Sequence, residues 1–184
     1  MSRVEEKNLK VNLTFEAGLA EFFMIIGDGE QCLEDSRQVL SEILEYNPKT
    51  LFNRFNRDSN ETIKAEEIIN FCADNGLKDV GIDEAQLLCD FFDDDGTRVL
   101  NYEEISHIFL PCEDSEIRAE VVRRNYYEHD INKGEFLNDD VEHAATRVFS
   151  NEFKLIRSLV KKVRELCWWN LLELHWFDLI DVNQ

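Results

Sequence analysis

The sequence predicts an all-α protein in which two tandem helix–loop–helix units are flanked by an N-terminal helix and a long C-terminal helix. Three observations carry this expectation. A shift of 37 residues lays Leu51, Phe55, Ile63, Glu67, Ile68 and Phe71 onto Leu88, Phe92, Leu100, Glu104, Ile105 and Ile108. Each copy holds a twelve-residue polar loop between two apolar helical turns: Asn56 to Glu67, and Asp93 to Glu104. Near the C-terminus, Phe149, Phe153, Ile156, Val160, Val163, Cys167, Asn170, Leu174 and Phe177 recur in steps of four and three, the narrow apolar seam of a long helix.

Taken in order, residues 1–47 read as a polar, flexible arm of about a dozen residues followed by a helix from about Phe15 to Tyr46, with Gly27 and Gly29 as expected breaks. Residues 48–112 hold the repeated pair. Asn47-Pro48 opens its first helix, because proline suits the first helical turn. Asp74-Asn75-Gly76 stops the helix after the first loop, and Asp83 or a neighbour starts the next. Pro111-Cys112 ends the pair. Residues 113–137 carry a short helix near Ser115 to Arg124, then an irregular tyrosine-bearing stretch with Gly134. Residues 138–184 read as one helix to about Ile180. Its end, Trp176 to Asn183, matches Leu51 to Asp58 at an offset of 125, the entry to a further loop unit truncated before a closing glutamate.

The loop spacing has a chemical reason. A hard divalent cation takes six to eight oxygens at about 2.3–2.6 Å, so a short loop must wrap it, with side chains inward at positions 1, 3 and 5. Position 7 supplies a carbonyl and position 12 a bidentate glutamate. In loop two these are Asp93, Asp95, Thr97, the Val99 carbonyl and Glu104; in loop one, Asn56, Asp58, Asn60, Thr62 and Glu67. Position 8, Ile63 or Leu100, is apolar because paired loops meet there through a short backbone bridge. Position 6 turns with positive φ and favours glycine, yet Glu61 and Arg98 stand there, each at about 1–2 kcal/mol. Arg98 also places a cation beside the intended one. Calcium is therefore expected at low occupancy, in loop two before loop one, and more weakly than the roughly 10⁻⁷–10⁻⁵ M of sensor sites.

Composition narrows the function. The chain has 184 residues and a net charge of −19, which argues against binding a phosphate backbone. The longest uninterrupted apolar run, Phe22 to Ile26, is too short for a membrane span. Five cysteines without a CxxC pair fit a reducing compartment, and a cytoplasmic protein is expected. Histidines 107, 129, 143 and 175 are scattered, with no HExxH, nucleophile elbow or phosphate loop, so no catalysis is expected. Residues 146–165 carry net +4 beside the apolar seam. Phe153, Ile156 and Val160, with Lys154, Arg157, Lys161 and Lys162, are the expected docking residues for an acidic protein surface, either the chain's own acidic loop pair or an acidic filament such as a microtubule. Trp168, Trp169, Leu172 and Trp176 supply anchors for a helix-in-groove contact.

The span Leu51 to Leu110, with its two loops closed by Glu67 and Glu104, resembles the EF-hand calcium-binding superfamily. Ile108 to Cys112, a short basic helix, and Asn138-Asp-Asp-Val-Glu before a long helix are similar to multi-EF-hand proteins of protist cilia and flagella. That likeness implies paired EF-hands alternating with long helices, loops that have lost metal, and a scaffold role in an axoneme-like assembly. The alternative is a calcium sensor that opens a helix-binding groove when loop two takes an ion.

Overall fold

The computed structural model describes the backbone of residues 3–127 and 138–180, and the side chains of residues 14–124 and 138–167. Among these residues the chain is all-helical: α1 (Arg3–Glu42), α2 (Pro48–Phe55), α3 (Ala65–Asp74), α4 (Ile82–Phe92), α5 (Tyr102–Phe109), α6 (Ser115–Tyr127) and α7 (Asp139–Ile180). No helix among them is long and apolar enough to cross a membrane. The chain divides into two compact units, residues 29–156 and residues 1–28 with 157–184.

In the larger unit, local chemistry sets each helix end. The Asn47 side chain accepts hydrogen bonds from the N–H groups of Lys49 (2.9 Å) and Thr50 (3.1 Å), and Pro48 follows in the first turn of α2. Asn101 caps α5 in the same way, through the N–H groups of Glu103 and Glu104. Gly76, at φ +86°, stops α3 and lets the Leu77 N–H reach the Cys72 carbonyl at 2.8 Å. These ends position α2 against α5 and α3 against α4. Between them an aromatic core forms, with Phe55 at 4.4 Å from Phe71 and 5.6 Å from Phe149, ring centre to ring centre. Phe149 contacts Phe71, Phe109 and Phe153 as well, so α7 closes the core over the repeated pair. Cys72 and Cys89 are buried here, and burial pushes both thiols up to about 12, leaving them inert at neutral pH.

Three expectations are corrected. Helix α1 begins at Arg3, well before the expected start near Phe15; residues 3–13 contain neither proline nor glycine to stop it. Helix α1 also runs unbroken through Gly27 and Gly29. At Gly29 the reason is packing: a Cβ there would lie 2.5 Å from Leu155 Cδ1, so glycine lets α7 approach. Phe153, expected on a docking face, is 1% exposed and stacked on Phe149 in the core. The irregular stretch around Gly134, the tryptophan anchors and residues 181–184 of the truncated loop entry lie outside the described residues or side chains.

The smaller unit contains the N-terminal part of α1 and the C-terminal part of α7. Gly18 faces Leu166, whose Cδ2 would lie 2.8 Å from an added Cβ. Lys162 of α7 forms an ion pair with Glu21 of α1 and lies 3.5 Å from Glu165.

Candidate metal centre

The two loops run between α2 and α3 and between α4 and α5, and they meet in an isolated antiparallel bridge of Ile63 with Leu100. Its hydrogen bonds are 2.7 Å (Ile63 N–H to Leu100 carbonyl) and 2.8 Å (the reverse), and both side chains are fully buried. The backbones match position by position. Position 6 is left-handed in both, at φ +66° for Glu61 and +65° for Arg98, as a sharp turn demands. Position 4 is left-handed too, glycine in loop two (Gly96) but Ser59 in loop one.

The closing glutamates behave alike. Glu67 accepts from the Arg57 N–H (3.1 Å) and the Lys64 N–H (3.0 Å), joining the loop's start to the first turn of α3. Glu104 accepts from the Asp94 N–H (3.0 Å) and the Asn101 N–H (2.8 Å), joining the corresponding points of loop two. Both glutamates are buried, and each satisfies the N-cap N–H of its own helix, Lys64 or Asn101, that a helix start leaves unpaired.

The remaining ligand positions differ. In loop two, Asp93, Asp95 and Glu104 each turn an oxygen to one place, with the three atoms within 4.8 Å of one another; among the described residues no other three acidic, histidine or cysteine side chains do so. Asp93 accepts from the N–H groups of Arg98 (2.7 Å), Gly96 (2.9 Å) and Thr97 (3.1 Å), and the Arg98 bond does most to hold its carboxyl below the usual aspartate range. Asp95 accepts from the Thr97 N–H at 3.0 Å, and the Thr97 hydroxyl donates to the Val99 carbonyl at 3.3 Å. This is an all-oxygen donor set with three carboxylates, the chemistry of a hard cation such as Ca²⁺. The Arg98 guanidinium pairs with Asp90 on α4 at 3.3 Å.

Loop one assembles no such trio. Its one central carboxylate, Asp58, is held by the Lys64 ammonium at 2.8 Å, and that bond is the main reason Asp58 titrates low and Lys64 high. The Asn60 amide donates to the same Asp58 oxygen, also at 2.8 Å. Asn56 and Asn60 spend their carbonyls on loop N–H groups, of Asn60 and Thr62. The Thr62 hydroxyl donates to Asn60 Oδ1 at 2.9 Å. Loop one thus carries its own cation. The signal was in the sequence: position 9 is lysine where loop two has Asn101.

Of the expected docking residues, Ile156 and Val160 are half-buried, Lys154 is exposed and donates to Asn151 at 3.4 Å, Arg157 is half-buried, and Lys161 is exposed. Lys162 is engaged with Glu21 as above. Compared with known proteins, the chain matches no family model, no curated protein and no solved structure.

Proposed function

We propose that this chain is a non-enzymatic EF-hand scaffold protein, a structural component of a cytoskeletal assembly of the axonemal kind, whose loop pair holds one shape rather than switching. One observation carries the reading: both loops are already closed by the protein's own groups, through Glu67 and Glu104 on backbone N–H donors at either end of each loop. A loop braced in this way gives an arriving ion little rearrangement to drive. Lys64 on Asp58 removes loop one from ion binding, and loop two keeps a weak site at Asp93, Asp95, Thr97, Val99 and Glu104. Docking to an acidic filament such as a microtubule falls to Arg157, Val160, Lys161 and Lys162 of α7, Phe153 being core.

The convergence of Asp93, Asp95 and Glu104 favours a second reading, a calcium sensor working through loop two alone. Microtubule co-sedimentation of the full chain, with calcium and with a chelator, separates the two. The scaffold reading expects equal pelleting in both conditions, weakened by added salt and by charge reversal at Arg157, Lys161 and Lys162. Pelleting that appears only with calcium would replace it with the sensor reading. No pelleting in either condition would remove the filament from the proposal.

A further inference from the structure

Inside the larger unit, away from the loops, one guanidinium serves three carboxylates. Arg37 of α1 is buried; it donates to the Ile108 carbonyl at 2.9 Å and to Glu152 of α7 at 3.1 Å, with Glu34 at 3.8 Å and Glu30 at 3.9 Å. The Cys112 thiol lies 3.9 Å from the same guanidinium. The acids are not equally provided for. Burial works against the Glu34 anion, but the N–H groups of Cys112 (3.0 and 3.1 Å) and Glu113 (3.0 Å), with Gln38 and Arg37, more than offset it and hold its carboxyl low. Glu30 is half in solvent. Glu152 is 5% exposed, and Arg37 is its one ion-pair partner among the described residues. A buried carboxylate that shares its single cation with two other acids is poorly compensated.

We propose that Glu152 is a proton switch on the packing of α7 against α1 within the larger unit, holding that packing more firmly when it is neutral than when it is ionised. Burial pushes its carboxyl up to about 7, with Arg37 opposing and Glu30 adding to the rise. The folded value lies above the ordinary one of 4.5, so folding takes up a proton between about pH 4.5 and 7. The stabilisation from this group is full below that window and is lost as the pH climbs through it.

The test compares the full wild-type chain with Glu152→Gln, which keeps the shape and cannot titrate, in urea unfolding at several pH values from 5 to 8. The ratio of their folding constants, wild type over variant, falls about tenfold per pH unit up to about pH 7 and then levels. A ratio flat across the range overturns the proposal. Should the variant not fold, the wild-type chain labelled with ¹³C at glutamate carboxyls decides: a Glu152 resonance with a midpoint near neutrality supports the switch, and a midpoint in the ordinary carboxylate range overturns it.

Discussion

Loop one and loop two follow the same backbone path and reach it with opposite electrostatics. Both turn left-handed at positions 4 and 6, both bridge through an apolar position 8, and both are braced by a glutamate on paired N–H groups. In loop one the positive charge is part of the chain, as Lys64 on Asp58. In loop two the neighbouring cation, Arg98, is drawn away to Asp90, and three carboxylates face one place. The difference teaches that one loop shape can carry two electrostatic arrangements: both loops are braced by hydrogen bonds to the closing glutamate, and the converging carboxylates sit in loop two alone.

The largest effects should come from the closing glutamates. Replacing either by alanine removes the acceptor of a helix-start N–H (Lys64 or Asn101) and of an N–H at the loop's beginning (Arg57 or Asp94), and should destabilise the larger unit by about 1–2 kcal/mol in urea unfolding. Only one of the two should matter to metal: Glu104→Ala abolishes the heat of calcium binding, whereas Glu67→Ala leaves it. The reverse ranking would mean that the separation between the loops is misassigned.

Position 6 offers a smaller and sharper comparison. Arg98→Gly and Glu61→Gly each relieve a left-handed non-glycine residue, by about 1 kcal/mol after the chain entropy that glycine adds, so both should raise the thermal midpoint by similar amounts. Arg98→Gly should change calcium binding at loop two little, because its guanidinium is already paired with Asp90; Glu61→Gly should not create a site in loop one. A clearly smaller gain for Arg98→Gly would show that its pair with Asp90 contributes more than a surface pair usually does.

The smallest expected effect is at Lys64. Asp58 and Lys64 are exposed, so Lys64→Ala should hardly change stability near neutrality. It should instead raise the Asp58 carboxyl toward its ordinary value in an NMR titration. The folded value is depressed, so the pair's contribution is present at all pH values above the ordinary aspartate range and disappears only as acid titrates Asp58 through its lowered value. An Asp58 titration unmoved by the substitution would remove Lys64 as the resident cation.

Much of this contrast was legible in the sequence, and the residues show where legibility stops. Asn47-Pro48, Gly76 and the strained position 6 follow from local rules, because each depends on a few neighbouring residues, and the pairing of Ile63 with Leu100 follows from the 37-residue repeat. The direction of Arg98 did not follow: its partner Asp90 lies on the preceding helix, and nothing local decides between a loop carboxylate and a helical one. The Gly29 contact with Leu155 is settled by packing between segments more than a hundred residues apart, and Phe153 is buried beside Phe149 in the core, which a seam pattern on α7 alone cannot distinguish from a docking face. The Arg37 cluster escaped for the same reason: Glu30, Glu34 and Arg37 share α1, but Glu152 comes from α7, far along the chain.

Calcium titration of the purified full chain by calorimetry tests the central claim most directly. The account predicts a single binding event, weaker than the roughly 10⁻⁷–10⁻⁵ M of sensor sites, and belonging to loop two. Two binding events, or one within the sensor range, would contradict it.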